Sequence, residues 1–144
     1  MTDGALPLSG GHVLELGHVV MGACCGVVLA DMGAEVIKIE KSPDGDDTRR
    51  FEGFGKGLFH FFNRNKRSLV IDLKSEAGKS VLRKAIAKVD VLIENFGPGA
   101  VERLGFGYAE CAALNPRLIY CSLKGFMPGP YEHRPSLDNL VQMM

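Results

Sequence analysis

The run His12–Glu40, HVLELGHVVMGACCGVVLADMGAEVIKIE, decides the fold. Its first residues, His12-Val13-Leu14-Glu15-Leu16, read as a short strand that ends at Gly17. Met21–Met32 is small and apolar almost throughout, which suits a helix packed tightly against a sheet, and Gly33 is its C-terminal stop. Glu35–Glu40 alternates apolar and polar residues with period two and is the second strand.

The same alternation continues outward. Lys41–Lys56 is a polar loop rich in Gly, Pro and Asp, followed by a brief aromatic segment, Leu58–Phe62, and a third strand, Ser68–Leu73. Ser75 can cap a helix whose apolar positions Ala77, Val81, Leu82, Ala85, Ile86 and Val89 fall on one face. Val91–Glu94 is the fourth strand, Tyr108–Leu114 a short helix stopped by Asn115-Pro116, and Leu118–Leu123 the fifth strand. Ser136 starts another helix, SLDNLVQMM, which has a start signal but no stop. Strands alternating with helices predict an α/β fold: a Rossmann-like, mostly parallel sheet with helices on both faces.

Bulk properties narrow the function. The 144 residues make about one domain, and 46% hydrophobic with 24% charged residues can build a core. Seventeen basic and seventeen acidic residues cancel, which argues against nucleic acid or an anionic membrane as the main partner. Val19–Ala30 is too short to span a bilayer, which needs roughly 20 apolar residues. Met1-Thr2-Asp3-Gly4 lacks the basic n-region of a signal peptide. Cys24, Cys25, Cys111 and Cys121 form no CxxC pair, so they read as thiols in a reducing cytoplasm. His12, His18, His60 and His133 are scattered, and no metal site is expected.

In an open parallel sheet, ligands bind beyond the carboxyl ends of the strands. Gly17–Gly22, Glu40–Lys41, Glu94–Gly99 and Leu123–Gly125 fall at such ends. GHVVMG is not the GxGxxG of dinucleotide binding, and there is no Walker lysine motif. Asp90–Gly107, DVLIENFGPGAVERLGFG, delivers an amide and an aromatic ring into a stiff turn. That turn is either strand-to-helix punctuation or one wall of a ligand site. Arg49, Arg50, Lys56, Arg64, Lys66 and Arg67 face only Glu52 within their own stretch, a local patch on the scale of a few phosphates or a solvated face. Lys124 can meet an anion at a strand end, and Asp138 reads as a helix N-terminal charge, with ligand contact as its alternative.

Together these segments resemble the family III CoA-transferases, which include formyl-CoA:oxalate CoA-transferase, crotonobetainyl-CoA:carnitine CoA-transferase and α-methylacyl-CoA racemase. The matching stretches are VLELGHVVMG, LADMGAEVIKIE, GDDTRR, NRNKRSLVIDLK, DVLIENFGPGAVERLGFGY and NPRLIYCSLKGF, in family order over nearly the whole chain. The resemblance implies transfer of coenzyme A between acyl-CoA thioesters and short carboxylic or dicarboxylic acids through an aspartyl mixed anhydride. It implies CoA contacts at Val20, Met21, Lys41, Leu73, Lys74, Asn95, Phe96, Gly97, Arg103 and Lys124.

The departures from the family pattern also inform. Met21-Gly22-Ala23 stands where many members have Ala-Gly-Pro, and Leu137 stands where racemases carry histidine, which argues against racemase chemistry. The family nucleophile lies in a Gly-Asp motif beyond Met144, so no catalytic residue is assigned in this chain, and Asp138 is not that nucleophile. Residues 1–144 are thus expected to be the N-terminal CoA-binding domain of a longer cytoplasmic enzyme, truncated in its last helix. The second domain and return segment of the family's interlocked homodimers would be missing. A non-catalytic CoA- or nucleotide-binding module, or an inactive fragment, is the alternative.

Overall fold

The computed structural model describes residues 5–136 and 143. The helix expected from Ser136 onward, with Asp138, lies outside the described residues. Five strands form one sheet: β1 (His12–Leu16), β2 (Glu35–Lys41), β3 (Lys66–Ile71), β4 (Val91–Glu94) and β5 (Ile119–Ser122). Their order is β3-β2-β1-β4-β5, and every neighbouring pair is parallel. The chain runs outward from β1 to β3, then returns to the other side of β1. That reversal makes the carboxyl ends of β1 and β4 a topological switch point.

The helices are α1 (Met21–Asp31), α2 (Leu58–Phe62), α3 (Glu76–Ile86), α4 (Ala100–Arg103) and α5 (Tyr108–Leu114), with 3-10 turns at Asp47–Arg50 and Gly53–Gly57. Period-two alternation divides the strands between two cores. Leu14, Leu16, Ile39 and Leu92 pack with Leu82 and Ile86 of α3, Val101 of α4, Phe106 and Cys111 of α5. Val13, Val36 and Ile93 point the other way and pack with Ala30 of α1 and Ala34. Helices therefore cover both faces, as the alternation of elements predicts.

On the α1 face, the polar half of that alternation is not in water. Glu15, Lys38 and Glu40 are all buried there. The small residues of α1 make this possible. A Cβ on Gly26 would come within 1.9 Å of Glu15 Oε2, so only glycine lets the helix lie over that carboxylate.

Helix α3 is capped by Ser75, whose Oγ accepts from Gly78 N at 3.1 Å, with Glu76 in the first turn and Arg83 and Lys84 in the last. Its buried stripe is Gly78, Leu82 and Ile86. Val81 and Ala77, expected on that face, are exposed, Val81 by 47%. The i, i+4, i+8 ridge seats on the sheet, and Val81 falls to one side of it. Strand β3 also starts earlier and ends earlier than Ser68–Leu73. Its ladder with β2 runs from Val36–Lys66 to Lys41–Ile71, after which the Asp72 side chain turns back to accept from Lys74 N.

Candidate functional site

A cavity of about 590 Å³ opens beyond the carboxyl ends of β1, β2 and β3. Its apolar lining comes from Ile39, Ile71, Leu73, Phe96 and Leu104, and its polar rim from Lys41, Asp46, Asp47, Asp72 and Lys74. Gly17 and His18 supply the side nearest β1, and Gly45 the side nearest the loop after β2. An apolar floor with a few convergent charged groups is the usual make-up of a small-molecule site.

Four of the ten residues singled out from sequence, Lys41, Leu73, Lys74 and Phe96, meet in this cavity. Lys41 Nζ lies 2.7 Å from Asp47 Oδ1, and Arg50 pairs with the same oxygen. The hydrogen bond from Lys41 holds the Asp47 carboxyl below the usual range. The Phe96 ring lies 6.1 Å from that of His18 at 36°.

The other six lie outside it. Asn95 sits at the switch point, and both ends of its amide are committed to one neighbour. Its Oδ1 accepts from His18 N at 2.9 Å, and its Nδ2 donates to His18 O at 3.0 Å. This clamp adjoins Val19, a β-branched residue held at φ 59°, which marks local backbone strain. Val20 and Met21 follow as the cap and first residue of α1. Gly97 is exposed, with open space where a Cβ would be. Arg103 folds back toward Gly99, where a Cβ would meet its Nη1 at 2.9 Å. Lys124 donates to Glu94 Oε2 at 2.8 Å and to Phe96 O at 2.9 Å. It also lines a second, shallower hollow of about 390 Å³ with Pro98, Glu102, Phe126 and His133.

The basic cluster between Arg49 and Arg67 is largely neutralised. Arg49 grips Glu40 with two bonds of 2.7 and 2.6 Å, Arg50 pairs with Asp47, Arg64 with Asp31, Arg67 with Glu35, and Lys66 with Glu15. A phosphate patch built on these side chains is therefore not what the fold makes of them. Their acidic partners come from β1, β2, α1 and the loop before Arg49, so local sequence hid the pairing.

A buried ionic network underlies the cavity, and sequence reading missed it. Lys38 Nζ donates to Gly17 O at 2.6 Å and Glu15 Oε1 at 3.1 Å, and lies 2.9 Å from Asp46 Oδ2. Lys66 Nζ sits 2.6 Å from Glu15 Oε2 and donates to Ala23 O at 2.7 Å. Burial pulls the Lys66 ammonium below the lysine range, against the opposing pull of Glu15. Burial raises Asp46, but bonds from Thr48 and Lys38 outweigh it and leave the carboxyl below its ordinary value. For Glu40 the same contest, won by Arg49, Ser68 and Asp46 N–H, brings the pKa down to about 2. The sequence sign was the pair of charges, Lys38 and Glu40, on the same face as Val36 in EVIKIEK.

Among the described residues, no group of three or more His, Cys, Asp or Glu could hold a metal ion, no helix is long and apolar enough to cross a membrane, and the four cysteines are free. Residues 8–144 match the profile of CoA-transferase family III. The chain is 45% identical over 142 residues to an acetyl-CoA:oxalate CoA-transferase of Acetobacter aceti, covering 96% of this chain and 36% of that protein. It is 42% identical to a succinate–glutarate CoA-transferase of Agrobacterium fabrum, covering 96% and 37%. Among solved structures, a CAIB/BAIF family protein from Brucella suis superposes with a TM-score of 0.89 at 42% identity, covering 97% of this chain and 39% of that one. The chain thus spans about a third of the length of the relatives it matches. A parallel sheet with its cavity at the strand ends, and a profile match that runs through every described strand, lead to one assignment: the chain belongs to CoA-transferase family III.

Proposed function

We propose that this chain is the CoA-binding N-terminal part, residues 1–144, of a transferase that moves coenzyme A between acyl-CoA thioesters and short carboxylic or dicarboxylic acids. The observation that carries the reading is the cavity. Its volume of about 590 Å³ suits the nucleotide end of coenzyme A, and Leu73 and Phe96 offer apolar surface to a base. Lys41 and Lys74 bring two cations to the rim. The Lys41–Asp47 pair is more than half exposed on both sides, and such pairs stabilise little, so a phosphate can displace Asp47 from Lys41.

In this reading Asn95 and Gly97 shape the path of the pyrophosphate and pantetheine arm, Arg103 meets a phosphate, and Lys124 meets the cofactor where the second hollow opens. The family resemblance assigns the attacking aspartate to chain beyond Met144, so these residues bind and orient, and Asp138 is given no catalytic role. The interlocked dimer implied by the family has support in the exposed apolar residues of the sheet edges, Val70 on β3 and Ile119 on β5. Free thiols accord with a reducing cytoplasm. Because the chain spans about a third of its relatives, a binding module without turnover is the second reading.

Calorimetric titration of the chain with CoA and with 3′-dephospho-CoA tests this. Binding is expected, weaker without the 3′-phosphate, and Lys41→Ala and Lys74→Ala should each weaken CoA severalfold. No binding would sink the assignment. Turnover of an acyl-CoA and an acid by this chain alone would overturn both the module reading and the location of the nucleophile.

A further inference from the structure

Lys38 does not line the cavity, and its side chain is only 2% exposed, yet it is bonded to both sides of it. Gly17, which accepts from Nζ at 2.6 Å, begins the turn after β1. Asp46, 2.9 Å away, caps the 3-10 turn in the loop after β2, where its Oδ1 accepts from Thr48 N at 2.8 Å. Both segments border the cavity, and they come from different strands. With Glu15 Oε1 at 3.1 Å as the third partner, all three N–H groups of the ammonium are used. Neither loop can move away without leaving a buried charge short of a partner.

We propose that Lys38 is a positioning residue for coenzyme A, fixing the turn after β1 and the loop after β2 at the separation the nucleotide end requires. The inference rests on the CoA-binding reading above. The competing role is plain core stabilisation, and the two differ in what they do to affinity. Lys38→Met removes the ammonium and keeps most of the side-chain length. Asp46→Asn cuts the loop end of the joint while its amide oxygen still accepts from Thr48. The negative charge it takes from the rim would by itself favour an anionic ligand, so a loss of affinity reports the joint.

The test titrates the whole chain with CoA by calorimetry, with thermal unfolding measured alongside. Each variant should weaken CoA about tenfold, the scale at which residues off the ligand modulate affinity. The double variant should be no worse than Lys38→Met alone, because both changes break one joint. In Asp46→Asn the backbone amide of Gly17, on the far side of the cavity, should shift in the NMR spectrum. Ile86→Ala, in the opposite core, should lower the thermal midpoint and leave CoA affinity unchanged.

Unchanged affinity in Asp46→Asn, additive losses, or an equal loss in Ile86→Ala would each overturn the proposal while leaving CoA binding intact. A parent chain that ignores CoA overturns it together with the CoA reading. If Lys38→Met does not fold, Asp46→Asn and the Gly17 amide decide by the same criteria.

Discussion

The two faces of this sheet solve the same problem with different chemistry. Toward α3 and α5, Leu14, Leu16 and Leu92 meet Leu82, Ile86 and Phe106 in an apolar core. Toward α1, strands β1, β2 and β3 bury Glu15, Lys38, Glu40 and Lys66 beside Val13 and Val36. Apolar burial is roughly proportional to area and indifferent to direction. A buried ion pair repays its desolvation only in one geometry, and replacing it by apolar residues is often neutral. The difference teaches what each face is for: the α3 face holds the fold together and supplies the cavity's apolar lining, and the α1 face holds two loops in register at its rim.

The comparison breaks most sharply at Glu15, which two ammonium groups share at 3.1 and 2.6 Å. Glu15→Ala leaves Lys66 without its counter-charge and Lys38 with Asp46 alone, and should cost about 3–5 kcal/mol, the usual result of stranding a buried ion. Replacing the set together, Glu15→Leu with Lys38→Met, Lys66→Met and Asp46→Asn, should recover most of that stability in urea unfolding, because no buried charge of the set is left stranded. If this variant stays as unstable as Glu15→Ala, the α1 face carries stability after all.

On the other face, Leu82→Ala should cost about 2–5 kcal/mol through lost burial and the cavity left behind. No partner change can rescue it, since no charge is stranded. The acid response should also separate the faces. Glu40 has its pKa lowered to about 2 from 4.5 in the folded chain, because Arg49, Ser68 and Asp46 N–H bind its ionised form. A lowered carboxylate pKa stabilises above the unfolded value and loses that contribution as pH falls through the folded one. At about 1.4 kcal/mol per unit, Glu40 contributes on the order of 3 kcal/mol above pH 5, lost progressively between about pH 5 and 2. Urea midpoints measured from pH 7 to 3 should fall steeply in the parent and less in Glu40→Gln.

The apolar face was legible because its signal is local. EVIKIE alternates on its own residues, and Ser75 with the residues that follow announces a capped helix. Helix α5 and strand β4 ran as read, at Tyr108–Leu114 and Val91–Glu94. The charged face was not legible, because its pairs join residues far apart in the chain: Lys38 with Glu15, Lys66 with Glu15, Arg64 with Asp31. A cluster of cations looks alike in sequence whether its partners are solvent, phosphate or distant carboxylates. At the cavity, Lys41, Leu73, Lys74 and Phe96 were found through resemblance, while His18 and Asp46 lie in the matching stretches VLELGHVVMG and GDDTRR but carried no role that would single them out.

Asn95 gives the smallest stability effect and the finest test of the division of labour. Its amide makes two neutral hydrogen bonds to the backbone of His18, each worth about 1 kcal/mol net. Against that stands Val19, held at φ 59°, where a β-branched residue costs about 1–3 kcal/mol. Asn95→Ala releases the clamp and lets Val19 relax toward an allowed conformation, so the two effects oppose each other. The net loss in urea unfolding should be about 1 kcal/mol or less. CoA affinity should nonetheless drop severalfold, because His18, beside Val19, borders the cavity. Stability that falls by several kcal/mol with affinity unchanged would make Asn95 a fold residue, and the turn after β1 would then belong with the apolar core.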